Sequence, residues 1–195
     1  MIENIVLGDT FELLPQLKDK SIPVILTDPP YTYSQEEKEF LHSQFLRICK
    51  GVIIVFSPWK NPWIFPSDQK LYWIKPISTK NTSKNYSNFV EEIFIYGRHV
   101  WNSKRHWSQY PNVMTDLVEE KDHPWRKPLS LIQRLILNHS NPGDIIFDPF
   151  MGSGTMPLAA LLTNRKCLGF ENDKSYFDIT NERIYKMKQC LQGIL

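Results

Sequence analysis

Short apolar runs set between polar stretches give this chain its rhythm. Seven of them read as buried strands: residues 5–7, 24–27, 52–57, 71–75, 91–96, 145–148 and 167–171. Between several of them the apolar spacing becomes helical. A helix is expected from Asp9 to about Lys18, where Asp9-Thr10-Phe11-Glu12 has a capping-box pattern. A second covers 36–49, with Phe40, Leu41, Phe45 and Ile48 at helical spacing. A third covers 128–139 and carries Leu131, Ile132, Leu135 and Ile136. Residues 155–164 follow a glycine loop, with Pro157 tolerated in the first turn, and 175–189 form the last helix. Strands alternating with helices predict a mostly parallel sheet covered on both faces. The exception is the pair 71–75 and 91–96. Their connector is rich in Asn, Ser, Thr and Lys and has no helical pattern, so the pair reads as an antiparallel hairpin with a long loop. The expected fold is α/β: a seven-stranded, mostly parallel sheet with an antiparallel edge hairpin.

Composition bounds this picture without redrawing it. A length of 195 residues, 42% of them hydrophobic and 23% charged, fits one domain over 1–195 with a full core. The net charge of +2 is compatible with a polyanion partner and does not argue for one. Cys49, Cys167 and Cys190 are odd in number and form no Cys-x-x-Cys pair, which argues against a disulfide framework or a thiolate metal site. The start, Met1-Ile2-Glu3-Asn4, lacks a basic region followed by an apolar core. No apolar run reaches transmembrane length. The expectation is a soluble cytoplasmic domain without metal or membrane partner.

Two strand ends carry candidate chemistry. After the apolar run that ends at Leu26 comes Thr27-Asp28-Pro29-Pro30-Tyr31. The two prolines lack backbone N–H groups and push their predecessors toward extended geometry, so their carbonyls stay out of any helix. With Asp28 as acceptor and Tyr31 as a flat ring, the segment suits a planar amine such as a nucleobase. Taken alone it is open between that and an ordinary strand exit. The second is Phe147-Asp148-Pro149-Phe150-Met151-Gly152-Ser153-Gly154-Thr155. Gly152 and Gly154 remove Cβ atoms where a ligand must approach the backbone. The next strand ends at Glu171, placed to accept from a ribose diol. The loop has no Walker Lys, and Pro157 stands where a dinucleotide pattern has its third glycine, so a nucleoside without phosphates fits better.

Asp28-Pro29-Pro30-Tyr31 together with Asp148-Pro149-Phe150-x-Gly152-Ser153-Gly154-Thr155 and Gly169-Phe170-Glu171 resembles the amino-methyltransferases that use S-adenosyl-L-methionine on nucleic acid bases. The catalytic motif precedes the cofactor loop, as in the permuted β class of DNA amino-methyltransferases. Leu7-Gly8-Asp9, His123-Pro124-Trp125-Arg126-Lys127-Pro128, Trp73-Ile74-Lys75 and Glu91-Glu92-Ile93-Phe94 resemble further elements of that class. The resemblance implies a sheet whose strands lie, edge to edge, in the order first, seventh, sixth, second, third, fifth, fourth. The hairpin inferred from the connector falls on the two strands that the family pairs antiparallel.

The resemblance implies methyl transfer from the sulfonium to an exocyclic amine, with Asp28 and the Pro29 carbonyl accepting the amine hydrogens and Tyr31 stacking on a base flipped out of double-stranded DNA. Asp rather than Ser at the first motif position favours adenine N6 over cytosine N4. Asp9, Lys127, Asp148, Phe150, Gly152, Ser153, Gly154, Thr155 and Glu171 are the implied cofactor residues. The family's usual target-recognition region is short here. Segments 98–122, with Arg98, Trp101, Lys104, Arg105 and Trp107, and 76–90 are the candidate DNA contacts, against a reading as packed aromatics and solvated lysines. A homodimer or a partner specificity subunit is one way to complete recognition. RNA and protein-glutamine methylation are the competing activities, and residues 57–67 are open between lid, dimer contact and plain loop.

Overall fold

The computed structural model describes residues 3–75, 89–97, 111–116 and 127–192. Among these, eight strands form one sheet: β1 (Glu3–Leu7), β2 (Ile22–Thr27), β3 (Cys49–Ser57), β4 (Gln69–Ile74), β5 (Val90–Gly97), β6 (Val113–Met114), β7 (Ile145–Asp148) and β8 (Lys166–Glu171). Their order is β1-β8-β7-β2-β3-β5-β4-β6. Seven of the eight stand in the order expected from the sequence. β5 runs antiparallel to both β3 and β4, and the other pairs are parallel. The unforeseen strand is β6, which pairs Val113 with Tyr72 and Met114 with Trp73. Two residues carry no readable alternation, so no pattern announced it.

Helices α1 (Thr10–Leu13), α2 (Gln35–Ile48), α3 (Leu129–His139), α4 (Thr155–Leu162) and α5 (Lys174–Gln192) cover the sheet. The first is shorter than expected. It tightens into a 3₁₀ turn over Leu14–Gln16, and Leu17 is already extended. Pro15 lacks the N–H that a continuing α-helix would use. The full capping box forms instead at α2, where Ser34 and Glu37 exchange side-chain and backbone bonds. Asp9 caps α1 with one bond, accepting from Phe11 N at 2.7 Å.

Strand residues alternate between two cores. Val24 and Leu26 on β2, with Val52, Ile54 and Phe56 on β3, meet Leu131, Leu135 and Ile136 of α3 and Met156, Ala159 and Ala160 of α4. Ile25, Ile53 and Val55 face the other side, against Leu14 and against Leu41, Phe45 and Ile48 of α2. Those three α2 residues are fully buried. At about 2 kcal/mol each, their burial anchors α2 to the sheet, and the Gln, Glu and Arg residues on its outer face favour the helix in their own right.

Candidate active site

Parallel strands deliver three carboxylates to one edge of the sheet. Asp28 follows β2, Asp148 closes β7 and Glu171 closes β8. From β7 the chain passes through α4 to β8 on one side, whereas from β2 it passes through α2 to β3 on the other. The neighbouring ends of β7 and β2 therefore form the crevice where open α/β sheets bind ligands. Thr27 Oγ1 spans it, donating to Asp148 Oδ1 at 2.8 Å, and Phe150 N donates to the same oxygen at 3.0 Å. Burial pushes the Asp148 carboxyl up to about 7, against the pull of those two donors.

A cavity of about 670 Å³ opens over these strand ends, within the range of small-molecule sites. Every catalytic and cofactor candidate read from the sequence lines it except Gly154, which caps α4 from a left-handed conformation, φ +84°. On the β2 side, Asp28 Oδ2 receives the Lys127 ammonium at 2.9 Å, while Oδ1 is buried without a donor among the described residues. Lys127 also bonds Glu91 and donates to Tyr31 Oη at 3.0 Å; Tyr31 Oη in turn lies 3.3 Å from Glu91 Oε1. Burial pushes the Asp28 carboxyl above its ordinary value, and Lys127 opposes that rise. For Lys127 burial works downward, yet Asp28 and Glu91 outweigh it and hold the ammonium well above the usual lysine range. Burial would raise Glu91 too, but Lys127 and Lys75 override it and keep the carboxyl below its ordinary value.

On the other side the glycine loop is pinned from both directions. Gly152 N donates to Glu171 Oε2 at 2.7 Å, and Asp173 N donates to Oε1 at 2.9 Å. The loop carbonyls are held by α5: Thr180 Oγ1 donates to Gly152 O at 2.9 Å, and Arg183 donates to Ser153 O. A Cβ on Gly154 would sit 2.7 Å from Thr180 Oγ1, so both the positive φ and the close approach demand glycine. Asp9 reaches the cavity from the start of α1, and the next residue, Thr10, donates to Pro149 O at 2.5 Å.

Several functional neighbours escaped the sequence reading. Tyr33 lines the cavity edge-on to Phe11, with ring centres 5.4 Å apart, and burial pushes its phenol up to about 12. Thr180 and Arg183 gave no signal, because a polar helix face is ordinary. Glu91 did give one. It shares strand parity with Ile93 and Ile95, so an acid there had to be buried beside a partner.

The lining is acidic, with Asp9, Asp28, Asp148 and Glu171 and, among its described residues, the single cation Lys127. Glu171 also occupies the Gly152 N–H that a phosphate would use. Such a site suits hydroxyls and a cationic centre.

Comparison with known proteins agrees with this chemistry. A family model described as DNA methylase matches residues 59–182. The type II methyltransferase M2.DpnII of Streptococcus pneumoniae is 26% identical over 241 residues, covering 92% of this chain and 88% of its own. The DNA adenine methyltransferase YhdJ of Escherichia coli (strain K12) is 40% identical over 75 residues, 38% of this chain and 26% of its own. Among solved structures, the M1.HpyAVI–SAM complex superposes with a TM-score of 0.73 at 26% identity, over 93% of this chain and 100% of that one. The cytosine-N4-specific PvuII DNA methyltransferase shares the fold, with a TM-score of 0.70 at 19% identity over 94% of this chain and 90% of its own. The family match runs from the segment after β3 through the edge hairpin and the glycine loop into α5, and the chain therefore belongs to the DNA methylase family, the S-adenosylmethionine-dependent amino-methyltransferases of DNA.

Proposed function

We propose that this chain methylates adenine N6 in double-stranded DNA, on a base extruded into the cavity. One observation carries the reading: Asp28 is ion-paired through Oδ2 and keeps a buried Oδ1 without a donor among the described residues. An orphaned buried acceptor costs about 1–3 kcal/mol, and an amine N–H brought by the substrate removes that cost. The Pro29 carbonyl is the second acceptor. Two acceptors on the amine hydrogens turn the nitrogen lone pair out of conjugation and toward the methyl donor. Tyr31, its hydroxyl fixed by Lys127, offers its ring to the flipped base. Pro30 stiffens the turn between them.

The cofactor half fits S-adenosyl-L-methionine by its acidic lining and by Gly152, whose missing Cβ leaves the loop open toward the cavity. When bound, the cofactor supplies an electrophilic sulfonium methyl. In this reading Glu171 accepts from the ribose hydroxyls, Asp9 meets the adenine, and Phe150 packs on it. Asp148, Gly152, Ser153, Gly154 and Thr155 shape the loop that holds the rest.

Target choice is the thin part of the chain. The alignment with M2.DpnII runs over 241 positions, more than the 195 residues present here, so that relative carries segments this chain lacks. This supports recognition completed by a second copy or a partner chain. The test is to incubate the protein with labelled S-adenosylmethionine and unmethylated duplex DNA and digest to nucleosides. N6-methyladenine is expected, and Asp28→Ala should abolish it while cofactor binding persists. N4-methylcytosine would overturn the base assignment, label only in RNA or protein would overturn the substrate, and binding without transfer would favour the partner-chain reading.

A further inference from the structure

Between the catalytic loop and the edge hairpin, four acidic and basic side chains stand in series. Lys75 Nζ lies 2.6 Å from Glu91 Oε2, Glu91 Oε1 receives Lys127, and Lys127 reaches Asp28 Oδ2 at 2.9 Å. The series runs from the half-buried Lys75 through the deeply buried Glu91 and Lys127 side chains, 3% and 10% exposed, to Asp28, 28% exposed at the cavity. Signs alternate along it, so the buried charges cancel. A lysine ammonium has three hydrogens. Here Asp28, Glu91 and Tyr31 Oη take all three, and the rings of Phe56 and Trp73 stand 4.9 and 5.9 Å from the nitrogen. Lys127 has no donor left for a cofactor.

We infer that Lys127 and Glu91 are positioning residues for the methyl transfer: Lys127 fixes one oxygen of Asp28, Glu91 fixes Lys127, and neither holds the cofactor. This rests on Asp28 being the acceptor of the target amine. Lys127 favours the ionised form of Asp28 and holds it in one orientation, with Glu91 keeping Lys127 in place, whereas burial drives Asp28 toward the neutral acid, which donates a proton instead of accepting one. Lys75 neutralises the far side of Glu91 and keeps that carboxylate charged inside the wall. Four groups face Asp28 from the packed elements: Lys127, Glu91 and the Tyr31 hydroxyl, with the Asp148 carboxyl beyond them.

The two residues act on Asp28 with opposite signs. Lys127 lowers its pKa and Glu91 raises it. Lys127→Met should therefore move the acidic limb of the single-turnover rate to higher pH. Glu91→Gln, which keeps an acceptor for Lys127 but drops the charge, should move it to lower pH. At neutral pH, Lys127→Met and Glu91→Leu should each lose about 100-fold in rate, the cost of a misplaced reacting group. Glu91→Gln should recover to within about tenfold of wild type, and cofactor affinity by calorimetry should stay within about twofold throughout.

Carboxyl-carbon NMR of Asp28, assigned by its loss in Asp28→Asn, follows the same titrations without DNA. Opposed shifts there stand even if the wild type methylates no base, which separates this inference from the functional reading. A tenfold or greater loss of cofactor affinity in Lys127→Met with an unmoved limb would make Lys127 a cofactor ligand and overturn the inference. Limbs moving together, or not at all, would also overturn it. Glu91→Gln is nearly isosteric and keeps the test decisive should the Leu and Met variants fail to fold.

Discussion

At Asp148, burial beside β2 pushes the carboxyl up to about 7, whereas an unfolded aspartate titrates near 4. The folded state therefore keeps a proton that the unfolded state releases, and stability falls as pH rises from about 4 through about 7. Asp148→Asn keeps an oxygen acceptor for Thr27 and Phe150 and has no proton to lose. Denaturant unfolding across pH should show the variant gaining on wild type by on the order of 4 kcal/mol over that interval, on top of a constant offset. No relative gain would mean that the folded carboxyl ionises as easily as the unfolded one. Single residues were legible where their type is costly at their position. Asp28 between a strand and two prolines, and Glu171 at a strand end, are poor choices for packing and good ones for a site. Lys127, read from sequence as a cofactor residue, does line the cavity, but its connections were not legible. Its partner Glu91 comes from a distant hairpin, and only the folded sheet brings the two together.

Residues 57–67, leading from the end of β3 toward β4, were open between lid, dimer contact and plain loop, and they pack as a strap beneath the loop that follows β2. Asn61 Nδ2 donates to Tyr31 O at 2.9 Å and to Tyr33 O at 2.8 Å, fixing the backbone just after the two prolines. Buried Lys38 of α2 holds Asn61 in turn, through its side-chain oxygen, its carbonyl and the carbonyl of Pro62. Trp63 is buried, and Phe65 stacks on His42 with centres 4.2 Å apart. Asn61→Ala is expected to slow methyl transfer about tenfold or more with cofactor affinity retained, since it frees the carbonyls that orient the loop. Lys38→Met should cost about 1–3 kcal/mol in chemical denaturation, because it removes three charge-assisted bonds to partly buried oxygens. Periodicity could not reveal this strap. Its order comes from side chains reaching across from α2, and Lys38 reads in sequence as one more charge on an amphipathic helix. For the same reason the capping box was misplaced: Asp9 and Ser34 both offer the pattern, and only Ser34 has its glutamate within reach.

For the molecule as a whole, the alternating strand pattern carried the most information, because a sheet buried on both faces leaves little choice of layer or neighbour. Among the described residues, no helix is long and apolar enough to cross a membrane. With a net charge of only +2, attraction to DNA must rest on a few local cations. Segment 98–110 supplies Arg98, Lys104 and Arg105 and lies outside the described residues. Replacing Lys104 and Arg105 together by Ala should flatten the slope of log affinity against log salt by about 2, measured by anisotropy over a salt series. An unchanged slope would remove this segment from the DNA surface. The strand order has one more consequence, and it concerns synthesis. Among the described residues β1 pairs only with β8, Glu3 opposite Cys167 through Leu7 opposite Glu171, and β8 and β7 together fill the gap between β1 and β2. A ribosome makes the two outer walls of that gap first and the strands that fill it last. Until β7 and β8 emerge, β1 has no neighbour and β2 shows one open edge, a template for stray pairing. The nascent chain is therefore exposed to aggregation late in its synthesis and depends on prompt closure or on chaperones. The crevice between β7 and β2 does not exist until that closure, so methylation capacity switches on only with the final insertion into the middle of the sheet.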